Sequence, residues 1–583
     1  MNIDRLAPGS PRSTASAQQY LHDRPFIALS ILCLWLASAG NVPLWQAIWH
    51  RLPPIGWQTY AVMLMWILCL AAVLYACLVL LIWKPWAKLM GWSLMLMATT
   101  SSYFMHTYGV VIDPTMLSNL LHTDTREAGD LLSWGMVPWL LVGVALPGWI
   151  WGRLNFSTGG WKQELFWRFG TFVLAWVVVL GLIWTSFQDL SSLMRNHKPV
   201  RYMINPFNTV YAAVRQVTVR TSLSTQPLKP FGQDAVLQRE NLAGPAPWIV
   251  LIVGETARAA NFGLGGYARN TTPRLREIQA QGELVYFSDV RSCGTNTQVS
   301  VPCMFSGQGR DGYTASEPQE NLLDILQRAG VAVSWWDNQS GCKGVCDRVP
   351  NTSTTQLKDP EHCQEGQCHD LVLLSALTAQ LSAQRDTTED HPKVIVLHAM
   401  GSHGPAYFKR TPSAFKIFQP ECTQVNLQSC SQEAIRNAYD NTILYTDHFI
   451  AQMTEWLRQQ NRPTALIYVS DHGESLGEKG LYLHGMPYAM APQEQTHVPM
   501  LAWFSPVMQD HWRVNLSCLT KNAAKRISHD HLFHSILGLA QVKTHVYESS
   551  LDIFSGCTNQ DRSEPTKIDH TKIGASSLNI SVA

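Results

Sequence analysis

The chain has almost no net charge and no long basic segment. Its 583 residues include 44 lysines and arginines against 43 aspartates and glutamates, which leaves a net charge of +1. A protein that acts mainly on nucleic acid usually clusters an excess of basic residues, so this composition argues against nucleic acid as a partner. The sequence also lacks an internal repeat. Because the chain is too long for one ordinary domain, we expect two or more.

Charged residues are scarce in the first third of the chain, which is rich in leucine, tryptophan, valine and methionine. The apolar stretches in this part are long enough to cross a bilayer, and they predict a membrane domain of five transmembrane helices. These stretches cover residues 26–49, 60–83, 89–111, 131–151 and 166–187. A cleaved signal peptide is not expected, because the first stretch begins late and lacks a small-residue cleavage pattern.

Lysines and arginines gather in the N-terminal tail and in two of the connections between these stretches. By the positive-inside rule they predict a multi-pass protein whose N-terminus is cytoplasmic, with everything beyond about residue 191 outside. The predicted organisation is a cytoplasmic tail at 1–25, a membrane domain at 26–187, a linker with interfacial helices at 188–246, an outer domain at 247–557 and a disordered tail at 558–583. The alternative for the linker is an ordinary connector that packs on the outer domain.

Ten of the 13 cysteines lie in the predicted outer domain. The regular CxxC…CxxC spacing of zinc ribbons is missing, and in an oxidising compartment tight pairs favour disulfides over metal binding. The spacing leaves the connectivity open. Near neighbours are Cys293 and Cys303, Cys342 and Cys346, Cys363 and Cys368, and Cys422 and Cys430, with Cys518 and Cys557 left as a longer-range pair.

From about residue 247 onward, short β-branched runs alternate with helical patterns. This alternation predicts an α/β domain with a mainly parallel sheet that is covered on both faces. Ligands of such a sheet gather at the carboxyl ends of its strands. The predicted strands are 248–255, 283–290, 331–338, 393–404 and 465–474.

Residues that can bind a metal follow several of these strands. Glu255 ends the first predicted strand, and Asp471 and His472 lie near the end of the last one. A lone strand-end histidine is more often structural, and that alternative stays open for His398. Carboxylates, imidazoles and a hydroxyl that meet at one edge of a sheet are suitable ligands for a catalytic zinc ion. The pattern therefore predicts a Zn²⁺ site with one position left for a hydroxyl.

We assign this hydroxyl to Thr295, which lies between Cys293 and Cys303. Coordination to Zn²⁺ would lower the pKa of the threonine hydroxyl and turn it into a nucleophile. A helix that begins here would also favour an anionic phosphoryl group. The alternative is a disulfide-stapled turn in which Thr295 only caps a helix.

Four motifs, which occur in order, resemble those of the lipid A phosphoethanolamine transferases of Gram-negative inner membranes. That group includes the mobile colistin-resistance enzymes and belongs to the alkaline phosphatase and sulfatase superfamily. The motifs are LIVGETAR (251–258), SCGTNTQVSVPCMF (292–305), HAMGSHGPAYFKR (398–410) and SDHGESLGE with LYLHG (470–485). The resemblance covers nearly the whole chain. It implies a helical membrane domain followed by a periplasmic catalytic domain of alkaline-phosphatase type.

The resemblance also implies residue roles. Thr295 would be the nucleophile and would share one tightly bound zinc ion with Glu255, Asp471 and His472. His403 and His484 would bind the substrate phosphate or a second zinc ion. The remaining substrate contacts would be Asn338 and Lys343, in WWDNQSGCKGVC (335–346), and Asn119, Thr123 and Glu127, in TMLSNLLHTDTREAGDLL (115–132). A solvated interfacial loop is the alternative for the last segment.

The function implied by the resemblance is a two-step transfer of phosphoethanolamine. Phosphatidylethanolamine would be the donor and a lipid A phosphate the acceptor, with a covalent phosphoethanolamine-threonine intermediate. The product would lower the negative charge of the surface and so confer polymyxin resistance. A monomer in the inner membrane is expected. The alternatives are transfer to core sugars or another periplasmic glycan, phosphoglycerol transfer, ester hydrolysis, and a non-catalytic sensor or scaffold.

Overall fold

The computed structural model describes residues 25–49, 56–122, 131, 133–154, 160–196, 198–238, 245–354, 357, 359–364, 367–383 and 391–558. The predicted tails at 1–25 and 558–583 lie outside this set except for Pro25 and Thr558. The first part of the described chain is helical, and the second part is an α/β domain.

The helices of the first part pack against one another. A π-helical turn at Leu141–Ala145 joins two of these helices into one continuous segment. The helices are α1 (Pro25–Ser38), α2 (Val42–Trp49), α3 (Trp57–Leu81), α4 (Ala87–Tyr108), α5 (Pro114–His122), α6 (Met136–Leu140), α7 (Leu146–Arg153), α8 (Trp161–Asn196), α9 (Lys198–Tyr202) and α10 (Phe207–Thr225).

Among the described residues, 3 helical segments are long and apolar enough to cross a membrane: Phe26–Trp49, Thr59–Leu81 and Trp161–Ser186. Helices also occupy the predicted stretches 89–111 and 131–151, but they are not both long and apolar enough to count as candidate spans. Helix α4 contains a polar run in which Ser101 is buried and bonded to Thr209 of α10, 2.9 Å away. The predicted count of five spans is therefore not confirmed.

The α/β domain is built on an eight-stranded sheet with the order β8-β2-β7-β6-β1-β5-β3-β4. Most neighbouring strands are parallel, as predicted. Strand β7 was not predicted and runs antiparallel to both of its neighbours, so the sheet is mixed. The strands are β1 (Trp248–Gly254), β2 (Leu284–Arg291), β3 (Ala332–Asp337), β4 (Asn351–Ser353), β5 (Lys393–His398), β6 (Thr464–Ser470), β7 (His497–Phe504) and β8 (Ile527–Ser528).

Helices cover both faces of the sheet, and the central strands β1 and β6 are buried along their whole length. Burial on both faces explains why these strands read as continuous apolar runs rather than as an alternating pattern. The helices are α11 (Pro273–Ala280), α12 (Thr297–Met304), α13 (Gly309–Gly312), α14 (Leu322–Arg328), α15 (Leu371–Ala383), α16 (Gln432–Arg458), α17 (Gln493–Thr496), α18 (Pro506–Trp512), α19 (Leu516–Asn522) and α20 (Asp530–Leu539).

The helical part packs directly against the α/β domain. Tyr108 at the end of α4 is buried in the same apolar cluster as Leu483, and Met116 of α5 packs against that cluster. The side-chain amide of Gln428 donates to the carbonyl of His106 at 2.8 Å. Helix α5 therefore lies beside the segment that carries His484.

Candidate active site

Two neighbouring parallel strands end side by side and bring three predicted site residues together. Gly254, the last residue of β1, pairs with Ser470, the last residue of β6. Glu255 and Asp471 follow these positions, and both are fully buried together with His472. The Nε2 atom of His472 lies 3.3 Å from Glu255 Oε1 and 3.4 Å from Asp471 Oδ2.

The hydroxyl that faces this cluster belongs to Thr297. It donates to Glu255 Oε2 at 3.0 Å and to Oε1 at 3.2 Å, and it lies 3.4 Å from His472 Nε2. Thr297 is the first residue of α12, and Asn296 caps that helix by accepting from the Val299 amide at 3.1 Å. The positive end of the helix dipole is thus close to the cluster, where it favours negative charge.

The prediction that the Thr295 hydroxyl joins this cluster is wrong. That hydroxyl donates to the carbonyl of Met486 at 2.7 Å, and the carbonyl of Thr295 accepts from the Gly485 amide at 2.8 Å. The physical reason is that α12 begins at Thr297, so Thr295 precedes the helix cap. Thr295 instead fixes the segment that follows His484.

The cluster concentrates negative charge in a buried space. Burial raises the pKa of Asp471 to about 7, and repulsion from Glu255 adds to this effect. Burial alone would lower the pKa of His472, but the two carboxylates raise it to about 10. Burial would raise the pKa of Glu255, whereas the hydrogen bond from His472 and its charge lower it. Two buried carboxylates this close to each other favour a positive charge beside them, which either a protonated His472 or a bound metal ion can supply.

These residues fit a zinc ion. One ligand atom from each of Glu255, Asp471 and His472 lies within 4.8 Å of the other two. Asp471 Oδ2 has no hydrogen-bond partner among the described residues although it is buried. Two carboxylates, an imidazole and an adjacent hydroxyl match the oxygen and nitrogen ligands that Zn²⁺ accepts in catalytic sites.

Known protein families match both the helical part and the α/β domain of this chain. The Sulfatase family model matches residues 247–542, and a model described as Phosphoethanolamine transferase EptA/EptB matches residues 70–221. The chain is 37% identical over 540 residues to phosphoethanolamine transferase EptA of Salmonella typhimurium, covering 91% of this chain and 96% of that protein. The chain belongs to the phosphoethanolamine transferase family. It is a transferase enzyme.

Two further relatives agree with this assignment. Phosphatidylethanolamine transferase Mcr-1 of Escherichia coli is 35% identical over 502 residues, which are 82% of this chain and 89% of Mcr-1. The solved integral membrane protein lipooligosaccharide phosphoethanolamine transferase A of Neisseria meningitidis superposes with a TM-score of 0.87 at 35% identity. That match covers 92% of this chain and 99% of the solved chain. The predicted family is thus confirmed.

Two further histidines of the transferase, His403 and His484, lie beside the cluster. The ring centroid of His484 is 4.4 Å from that of His472 and 5.7 Å from that of His403. His484 Nδ1 lies 2.8 Å from Oε2 of Glu474, and the Tyr407 hydroxyl donates to Oε1 of Glu474 at 2.6 Å. Glu474 is fully buried and was not predicted. It orients His484 so that Nε2 is the ring atom left for a ligand.

The predicted substrate contacts Asn338 and Lys343, which follow β3, form hydrogen bonds with other protein groups. The Asn338 amide donates to Asp370 Oδ1 at 2.8 Å, and its oxygen accepts from Thr354 at 2.7 Å. Lys343 Nζ lies 2.7 Å from the hydroxyl of Ser340. Asn338 is thus a buried structural link in the structure, whereas Lys343 is only partly buried.

Lys343 lines a cavity of about 530 Å³ that runs beside α12. Gln298, which follows Thr297, forms another part of its wall, and Ser118 of α5 lines it on the side of the helical part. Asn119 is adjacent to Ser118 on that helix. The predicted contacts Thr123 and Glu127 lie outside the described residues.

His398 forms a buried pair with a carboxylate. Its Nδ1 atom lies 3.0 Å from Asp337 Oδ2, which also accepts from the Trp335 indole at 2.9 Å. Among the described residues, His398 Nε2 has no hydrogen-bond partner. Burial would lower the pKa of His398, but the Asp337 carboxylate raises it. The pairing with Asp337 favours a structural role.

Five disulfides connect the ten cysteines of this domain. They join the four near-neighbour pairs and the longer-range pair that the sequence analysis named. The bonds are Cys293–Cys303, Cys342–Cys346, Cys363–Cys368, Cys422–Cys430 and Cys518–Cys557. The first bond ties the segment before Thr297 to the end of α12.

Proposed function

We propose that the enzyme transfers phosphoethanolamine from phosphatidylethanolamine to a phosphate of lipid A through a covalent intermediate on Thr297. The observation that carries this proposal is the contact of the Thr297 hydroxyl with Glu255 and His472 at the start of α12. Membership of the phosphoethanolamine transferase family supports the transferred group. The proposed nucleophile is therefore Thr297 and not Thr295.

In the first step, the Thr297 oxygen forms a bond to the donor phosphorus, and the bond from phosphorus to the diacylglycerol oxygen breaks. The hydroxyl proton of Thr297 is directed at Glu255 and ends on the diacylglycerol that leaves. In the second step, an oxygen of the lipid A phosphate attacks the same phosphorus. The Thr297 oxygen is then the leaving group and takes up a proton.

A zinc ion held by Glu255, Asp471, His472 and Thr297 would act as a Lewis acid that lowers the pKa of the attacking hydroxyl. The backbone amides at the start of α12 favour the negative charge that develops on the phosphoryl oxygens. His403 and His484 lie near enough to the cluster to contact the substrate phosphate. Alternatively, these two histidines would bind a second zinc ion.

Lys343 supplies a positive charge in the cavity beside α12, where it would bind a phosphate oxygen of a lipid substrate. The ammonium group of the donor would be held by Asn119, Thr123 and Glu127. Asn338 would be a further contact to the substrate. Both lipids reach the site from the membrane. The proposed location is the Gram-negative inner membrane, with five crossings, a cytoplasmic N-terminus and the catalytic domain in the periplasm, and the enzyme would act as a monomer.

The added ammonium group would lower the negative charge of lipid A and weaken the binding of polymyxins, whose attraction to the membrane is electrostatic. The direct test supplies vesicles that contain labelled phosphatidylethanolamine and lipid A to the purified full-length enzyme. We expect labelled lipid A from the wild type and none from Thr297→Ala. Labelled phosphoethanolamine released into water, or labelled lipid A formed by Thr297→Ala, would contradict the proposal.

A further inference from the structure

His529 is a buried histidine outside the metal cluster, and it contacts the segment that leads to Thr297 and the strand end that leads to Asp471. It lies between β8 and α20 and is 1% exposed. Its Nδ1 atom lies 3.1 Å from the backbone nitrogen of Cys293, and its Nε2 atom lies 3.0 Å from the carbonyl oxygen of Ser470. One imidazole ring thus spans the segment before Thr297 and the strand end before Asp471.

The partners of His529 determine its protonation state. The Cys293 N–H can only donate, so Nδ1 accepts; the Ser470 carbonyl can only accept, so Nε2 carries the proton. The neutral ring with this tautomer satisfies both groups. Burial acts in the same direction, because it lowers the pKa of His529 to about 4.

The contacts of His529 continue into the site through Ser300 of α12. The Ser300 hydroxyl lies 3.4 Å from His529 Nδ1, accepts from the Gly294 amide at 3.3 Å and donates to the carbonyl of Asp471. The backbone of His529 is itself fixed, because its amide donates to the carbonyl of Arg291 at the end of β2 at 3.0 Å. The ring is therefore anchored at the strand ends that position the cluster.

We propose that His529 is a positioning residue that sets the distance between Thr297 and the pair Asp471 and His472. It acts through the backbones of Cys293 and Ser470 and touches neither substrate. This inference rests on the proposed role of Thr297 in the reaction. Since Thr297 and Asp471 also belong to the zinc ligand set, the same residue should control zinc affinity.

The first test compares three substitutions of His529 in the full-length enzyme. His529→Asn can keep the acceptor that faces Cys293, His529→Gln can keep the donor that faces Ser470, and His529→Ala loses both. Because a displacement of about 1 Å at a reacting group can reduce a rate by about 100-fold, we expect kcat of the alanine variant to fall by about 10- to 100-fold. The asparagine and glutamine variants should lie between it and the wild type, with KM for phosphatidylethanolamine unchanged.

The second readout is zinc affinity, measured by competition with a chromogenic chelator. Loss of groups that support metal ligands typically weakens metal binding by about 10- to 100-fold, and we expect this of His529→Ala. The matched control is His534→Ala, in helix α20, which begins directly after His529. His534 is also buried, at 3% exposed, and its Nδ1 atom accepts from the backbone of Glu548, away from the cluster.

Equal changes in kcat and zinc affinity for His529→Ala and His534→Ala would overturn the proposal, because His529 would then only stabilise the fold. An increase in KM with unchanged kcat would also overturn it, since it would indicate direct substrate contact. Activity that persists in Thr297→Ala would refute the proposed nucleophile instead. In that case the zinc affinities of the His529 variants would still test the positioning role.

Discussion

Substitution of Glu474 tests how the fold orients His484 at the edge of the zinc site. The buried Glu474 carboxylate accepts from Tyr407 at 2.6 Å and contacts His484 Nδ1 at 2.8 Å. Glu474→Ala leaves both donors without their partner, and each buried unsatisfied donor costs about 1–3 kcal/mol. We therefore expect a loss of unfolding free energy of about 2–6 kcal/mol, together with a 10- to 100-fold loss of kcat/KM because the His484 ring is released.

Two further variants separate charge from geometry in this arrangement. Glu474→Gln can keep the oxygen that faces His484, and its amide can donate to the Tyr407 hydroxyl, which can reverse its role. This variant should be more stable and more active than Glu474→Ala. Tyr407→Phe removes only the tyrosine hydroxyl and leaves Oε1 of Glu474 without its donor, so we expect a cost of about 1–3 kcal/mol and an activity within about threefold of the wild type.

The assays for these variants are transfer kinetics on vesicles and chemical denaturation of the full-length enzyme. The reasoning would be refuted if Glu474→Ala lost stability but kept wild-type kcat/KM. It would also be refuted if Tyr407→Phe lost as much activity as Glu474→Ala. Either result would mean that the orientation of His484 by Glu474 does not matter for transfer.

Three further predictions concern the hydroxyl, the metal and the disulfide of the site. Thr295→Ala removes the hydrogen bond to Met486, so denaturation should report a loss of about 1 kcal/mol while the adduct-forming step survives. In chelator-treated enzyme, the raised pKa values of Asp471 and His472 mean that the folded state binds more protons than the unfolded state. Its stability should fall as the pH rises from about 5 to 9, and thermal melts with added zinc should lose this slope. The double substitution of Cys293 and Cys303 by serine opens a loop with a sequence separation of 10, and denaturation should show a loss of about 2–3 kcal/mol. A change below about 0.5 kcal/mol in that variant would contradict the structural role of the bond.

The sequence was most informative where a functional residue directly follows a buried strand. Glu255 and Asp471 come after continuous apolar runs, and the parallel pairing of those strands brings them together. Strand β7 was missed although HVPMLAWF (497–504) is a continuous buried apolar run; its antiparallel direction is set by neighbours that are distant in the sequence. The run could therefore have been predicted as a strand, whereas its direction leaves no local pattern in the sequence.

The choice between the two threonines depended on helix capping. Thr295 and Thr297 are both polar and flank Asn296, so composition and spacing do not distinguish them. Asparagine is a strongly preferred N-cap residue, and Asn296 as the cap places Thr297 at the first position of the helix. That signal could have identified Thr297. Glu474 carried no such signal, because its role depends on Tyr407 and His484 meeting it in the folded structure.

The measurement that tests the central claim most directly is the intact mass of the full-length enzyme after incubation with phosphatidylethanolamine vesicles and no acceptor. Wild type and Thr295→Ala should both gain one phosphoethanolamine group, and peptide mapping should place it on Thr297. Thr297→Ala should gain none. An adduct on Thr295, or turnover of the donor by the wild type without any adduct, would contradict the assignment of Thr297 as the nucleophile.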